Sequence, residues 1–542
     1  MKYFNIIFIL CGLSASGFAQ ISRQITGGEV PVPMEQHEVS ALGDPFFTLV
    51  LREHPNVTSL GEILDAIQPD EEKRKLFVVS EQLQSAHGNS RRMVIAFEGV
   101  RDGEDLRANV MLSGSLSKQG FPEDLGFLEA WGWDNHRGRY NYYRLDTARG
   151  EELPTWKFRG SSVDADLRSP VSREGTCFAC HVNGAPMMKE LQFPWNNWFS
   201  ESSGNRIGYL DQLPIDGQWP VARDSSFRRM LEGAESLEAD IFSAIKRFNL
   251  QRINDSIRRD DFSGNRVAAE GAVTVIQGKR LLRPLFEPTE LNLISSRDRS
   301  GSHPLSPESE FDPTSSIRLP SSFFLDSLLI GGGPGIGGGL GIAEARDFDF
   351  SLTQRENRQL LENSEALFAD RSDGDASFAW FVPERSFIDN SLVMSLVEQQ
   401  MITPELVAAI LAIDIERPIF SERRASLLRH VPDRFDTSGG DLVEKIVESI
   451  EEGGDPEPSS PEEELLQNLT ADDPLELLRE KVIAYRDEVA SRLEGEASVR
   501  FEELTRLYGL AVEKRQALQV DPVFHHLDET RGRFLFPLPP RF

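Results

Sequence analysis

Cys177, Cys180 and His181 stand together in the run Cys177-Phe178-Ala179-Cys180-His181, two thiols with an imidazole directly after the second. Thiols so spaced can exchange with disulfides, bind a soft metal or form thioethers, and the adjacent imidazole adds a strong metal ligand. The third cysteine, Cys11, falls in a segment that reads as a removable leader, which leaves the mature chain only this pair. No disulfide framework is expected.

Three chemistries compete for the pair. A structural zinc site needs four ligands, and two thiolates with scattered histidines are a poor set. Thiol exchange suits an exported protein, but the βαβ pattern that should flank a redox CxxC is replaced by a polar, irregular stretch from Ser161 to Thr176. Covalent haem attachment uses all three residues, because each thiol adds across a vinyl group and the imidazole binds iron on one axial side. Here the chain resembles the mono-haem c-type cytochromes, whose attachment motif Cys177, Cys180 and His181 match residue for residue. The resemblance implies one covalent haem c, thioether links at Cys177 and Cys180, a proximal iron ligand at His181, and transfer of electrons to redox partner proteins. A haem enzyme or gas-binding protein with an open distal site is the alternative.

The sixth iron position has several candidates. Met187 and Met188 follow His181 so closely that the chain would have to wrap sharply, whereas Met230 has the longer reach usual in small cytochromes. A methionine ligand would raise the potential. Packing in a core competes with ligation for Met230. His136 is a conceivable distal residue or a solvated turn histidine. Phe193-Pro194-Trp195 and Trp198-Phe199 could wall a porphyrin or serve as core, and Arg159 and Arg173 could pair with propionates.

The elements that must position these groups give an α+β class, a small antiparallel β-sheet haem domain followed by mainly α-helical regions. Strands are expected at Met93-Val94-Ile95-Ala96-Phe97, at Val110-Met111-Leu112 and from Phe127 to Asp146. The last contains Trp131-Gly132-Trp133, a turn at Asn135-His136-Arg137-Gly138 and Tyr140-Asn141-Tyr142-Tyr143, a hairpin with aromatic faces. A sheet before CxxCH resembles, in element order, the β-sheet cytochromes of the c-prime beta type. After the motif, an amphipathic helix is expected from about Asp224, carrying Phe227, Met230, Leu231, Ala234, Ile241, Ile245 and Phe248.

The expected organisation is a signal peptide at 1–19, an irregular N-terminal segment at 20–82, a haem c domain at 83–205 and a helical region at 206–297. A linker with a glycine-rich loop follows at 298–345, then a helical domain at 346–435, an acidic linker at 436–472 and a C-terminal helical region at 473–542. Thr403 and Ser421 are read as helix caps and Asp473-Pro474 as the start of a last helix or hairpin. Gly333 to Gly338 fits GxGxxG by letter, but glycine crowding makes the match inevitable, so a loop is expected.

The leader has Lys2, an apolar run from Phe4 to Leu13 and small residues ending at Ala19. That run is too short for a span of about 20 apolar residues, so export without a transmembrane segment, to the periplasm, is expected. A net charge of -29 repels phosphate backbones and makes nucleic acid an unfavourable partner.

Overall fold

The computed structural model describes residues 21–24, 30–80, 91–116, 128–146, 154–162, 177, 181, 184–186, 229–259, 274–288, 291–295, 316–319, 321–331, 338–348, 350–353, 355–356, 359–360, 381–436 and 441–520. The leader, Cys180, Met187, Met188, Arg173, the Phe193–Phe199 aromatics and residues 224–228 lie outside them.

The strands are β1 (Ser22–Arg23), β2 (Val32–Pro33), β3 (Arg74–Ser80), β4 (Arg91–Phe97), β5 (Val100–Arg101), β6 (Glu104–Asp105), β7 (Val110–Leu116), β8 (Leu128–Asp134), β9 (Arg139–Asp146) and β10 (Thr155–Ser161). Eight of them form one sheet in the order β2-β1-β10-β9-β8-β7-β4-β3, while β5 and β6 pair as a separate ribbon. Every neighbouring pair in the sheet is antiparallel except β1 with β10. The α+β class holds. The boundary expected at residue 82 does not, because β3 pairs with β4 along its full length and β1 and β2 extend the far side of the sheet. Short strands broken by Pro31, Pro33 and Pro55 carry too little period-two pattern to be seen without their partners.

Both faces of the sheet are buried, which explains why β4 reads as an unbroken apolar run instead of an alternation. Leu76, Val78, Met93, Ile95, Leu112, Ala130, Tyr143 and Leu145 point to one core. Phe77, Val94, Ala96, Met111, Trp131, Trp133, Tyr140 and Tyr142 point to the other. The first core is closed by helix α1 (Gln36–Ser40), by Phe46 and Phe47, and by helix α2 (Leu60–Ile67), whose Leu60, Ile63, Leu64 and Ile67 form one stripe. The second is closed by helix α3 (Ala234–Ser256), which contributes Leu237, Ile241, Ala244, Ile245 and Phe248. The sheet unit therefore continues past the boundary expected at residue 205.

The hairpin of β8 and β9 has the expected turn. Asp134 Oδ1 accepts from the amides of His136 and Arg137, both at 3.0 Å, and Gly138 takes φ +62°, which suits glycine. Gly132 between the two tryptophans has a different reason. Asp44 lies across it, so a Cβ there would come within 2.4 Å of Asp44 Oδ1.

The remaining helices share one large core, running from Ile253 to Tyr508. Thr403, Ser421, Ser460 and Asp473 each cap a helix N-terminus, and Pro404, Pro461 and Pro474 sit in the first turn. The segment read as an acidic linker contains two helices, Asp441–Glu451 and Pro461–Leu469. Leu442, Ile446 and Ile450, four residues apart, bury one stripe of the first, and Glu462, Glu463 and Glu464 favour the N-terminus of the second through its dipole. Charge on the exposed faces masked that stripe. The C-terminal region is a hairpin of Pro474–Leu493 and Ala497–Val520. Part of the region read as linker is also ordered, since Leu340 and Ile342 donate backbone hydrogen bonds to Leu328 and Leu329. Among the described residues no helix is long and apolar enough to cross a membrane.

Candidate functional site

Cys177 and His181 are linked by a backbone hydrogen bond across four residues, as in a helical turn. The His181 amide donates to the Cys177 carbonyl at 2.9 Å and the Gly184 amide to the His181 carbonyl at 2.7 Å. Residues four apart in such a turn lie on one side of it. Cys177 is 6% exposed and packs with Tyr142, Ala185 and α3 in the second core.

The imidazole of His181 has a defined tautomer. Its Nδ1 lies 2.7 Å from the carbonyl oxygen of Ala185. A carbonyl can only accept, so Nδ1 carries a proton and Nε2 is the ring nitrogen that could coordinate a metal. Histidine ligands are commonly held this way, with the second nitrogen bound to a backbone carbonyl.

Tyr142 supports the same loop. Its ring lies against the imidazole, with centroids 5.0 Å apart, and its hydroxyl donates to the Gly184 carbonyl at 2.7 Å. Burial, with smaller effects from Tyr140 and Cys177, pushes the phenol well above its ordinary pKa, so it remains a donor. Gly184 itself is at φ +75°, and a Cβ there would come within 2.4 Å of the Ser162 carbonyl oxygen. The loop is thus pressed onto the end of β10.

Further along the same face, Tyr140 is packed against Trp131 and Trp133 with ring centroids 5.1 and 4.7 Å away. Arg247 donates to the Tyr140 hydroxyl at 2.8 Å and to the Ala108 carbonyl at 2.5 Å, with its guanidinium 4.8 Å from the Trp133 ring centre. Burial pushes the Tyr140 phenol up to about 12, against the pull of the Arg247 charge. Tyr143, next in sequence to Tyr142, faces the other core and donates to buried Asp44 at 2.6 Å.

Of the sequence-predicted site residues, Cys177 and His181 come together and Met230 does not join them. Met230 is 4% exposed in the first core, on the opposite side of the sheet from Cys177. Arg229 and Met230 are helical, but the chain leaves the helix at Leu231, which bridges Leu76 at the edge of β3, and helix α3 starts anew at Ala234. Spacing along the chain could not reveal that the strand edge separates Met230 from the motif. His136 is exposed in the hairpin turn. Arg159 is buried and donates to the Gln24 carbonyl at 3.2 Å.

Sequence reasoning missed Tyr142, Gly184, Ala185 and Arg247. Period-two alternation in Tyr140-Asn141-Tyr142-Tyr143 was the available signal, since it assigns Tyr140 and Tyr142 to one face and Tyr143 to the other. Among the described residues no three His, Cys, Asp or Glu side chains gather as a metal-holding group. Compared with known family models, curated proteins and solved structures, the chain matches none.

Proposed function

We propose that the protein is an exported c-type cytochrome that carries one covalent haem on Cys177, Cys180 and His181 and transfers electrons to redox partner proteins. The observation that carries this reading is the bond from His181 Nδ1 to the Ala185 carbonyl inside a CxxCH run. The donor set fits haem: a buried thiol and an imidazole on one side of a turn, with Nε2 the ring nitrogen that the Ala185 carbonyl does not engage. When bound, the haem supplies a one-electron couple.

The chain's own residues supply the setting. Ala185 orients the imidazole and raises its basicity, and the Tyr142 ring packs beside it. Export rests on the leader-like residues 1–19.

A haem enzyme or gas-binding protein with an open distal position is the second reading, favoured by the burial of Met230 on the far side of the sheet. Protein matured in a host with the attachment machinery should show a c-type reduced-minus-oxidised spectrum and a pyridine haemochrome that survives denaturation. Absence of covalent haem would sink both readings and leave thiol exchange. Prompt carbon monoxide binding to the reduced protein would select the open site; no binding would select six-coordinate electron transfer.

A further inference from the structure

Resting on the haem reading, we propose that Tyr142 is the positioning residue for His181: by holding the Gly184 carbonyl it fixes the loop that presents the Ala185 carbonyl, and so sets the midpoint potential.

Three contacts define the device. The Tyr142 hydroxyl donates to Gly184 at 2.7 Å, the next residue's carbonyl accepts from His181 Nδ1 at 2.7 Å, and the Gly184 amide returns to the His181 carbonyl at 2.7 Å. The last two bonds close His181 onto the loop, and the Tyr142 hydroxyl holds that loop from the strand. The clamp itself is rigid because Tyr142 lies in the middle of β9, where it pairs with Trp131 on one side and Gly160 on the other. Gly184, pressed against the Ser162 backbone, leaves the loop no room to move toward the strand.

The consequence follows from charge. A strong hydrogen bond from Nδ1 gives the imidazole more anionic character, which favours the ferric over the ferrous ion and lowers the potential. Loosening the loop weakens that bond and raises the potential.

Tyr142→Phe removes only the hydroxyl, and Tyr143→Phe removes the neighbouring hydroxyl on the opposite face. In the haem-loaded full chain, Tyr142→Phe should shift the ferric–ferrous equilibrium about tenfold toward ferrous, a rise of about 59 mV for one electron. Exchange of the His181 Nδ1 proton, followed by nuclear magnetic resonance, should quicken about tenfold, while Tyr143→Phe should leave both readouts at the wild-type value. Gly184→Ala, which displaces the same loop, should raise the potential too and serves if the first variant does not accumulate. Wild-type potential and exchange in Tyr142→Phe, or in Gly184→Ala where that variant stands in, would overturn the proposal, as would an equal shift in Tyr143→Phe. Wild-type protein without covalent haem would instead overturn the haem reading, before any variant is made.

Discussion

The guanidinium of Arg385 grips both carboxylate oxygens of Asp326, with Nε 3.1 Å from Oδ1 and Nη2 2.7 Å from Oδ2. Both side chains are fully buried, and Asp326 also caps the short helix Ser327–Ile330 through the Leu328 amide at 3.0 Å. Arg385 further donates to the Pro284 carbonyl. The pair ties three separate segments of the helical core to one point. Removing one partner leaves the other charge buried and unmatched, so Arg385→Met should lower stability by about 3–5 kcal/mol. Urea unfolding of the variant beside wild type measures it, and a loss below about 1 kcal/mol would contradict the role assigned to the pair.

The same pair predicts a pH dependence. Burial alone pushes the Asp326 carboxyl up, but the Arg385 charge and its hydrogen bonds outweigh burial and hold it below the ordinary carboxylate value. A group held low in the folded state contributes stability that is complete above its unfolded pKa, about 3.9, and is lost as pH falls through the folded value. The stability gap between wild type and Asp326→Asn should therefore be full above about pH 5 and shrink below about pH 4. Denaturant titrations at stepped pH test this, and a gap that widens on acidification has the wrong sign.

Met230→Leu preserves volume in a packed apolar site and should cost less than about 1.5 kcal/mol, whereas Met230→Ala should cost about 2–5 kcal/mol. Because Met230 lies in the core across the sheet from Cys177, neither change should alter the absorption spectrum or midpoint potential of haem-loaded protein. A spectrum that loses a methionine ligand in Met230→Leu would return Met230 to the iron.

Cys177 and Cys180 replaced together by Ala should abolish covalent haem, read as the loss of haem stain from the denatured band. His181→Ala alone should leave thioether-bound haem with an altered ferric spectrum, since the thiols and the imidazole act at different atoms. Unchanged spectra in His181→Ala would refute its role as proximal ligand.

Gly132→Ala should cost about 1–3 kcal/mol, because the added Cβ would meet buried Asp44, which also accepts from Tyr143, Asn141 and the Phe47 amide. Thermal unfolding reads this, and a neutral result would mean that Asp44 can move aside.

Much of the local structure was legible before any packing was known. β-Branched and aromatic runs marked β4 and the hairpin of β8 and β9, and Thr403, Ser421 and Asp473 marked helix starts, because strand preference and capping act over a few residues. Where partners come from distant segments, local pattern was silent or misleading. The strands β1 to β3 acquire meaning only through pairing, and the helices at 441–451 and 461–469 hide an apolar stripe under many carboxylates.

At the candidate site the division is the same. By itself the chain determined the chemistry available at Cys177, Cys180 and His181, since a CxxCH run holds two thiols and an imidazole within one turn whatever surrounds it. Only the tertiary structure decided which nitrogen of His181 is held, that Tyr142 clamps its loop while Tyr143 serves the other core, and that Met230 lies across the sheet. Those outcomes depend on which face of a strand a residue occupies and what crosses over it, and that is set by pairing between segments far apart in sequence.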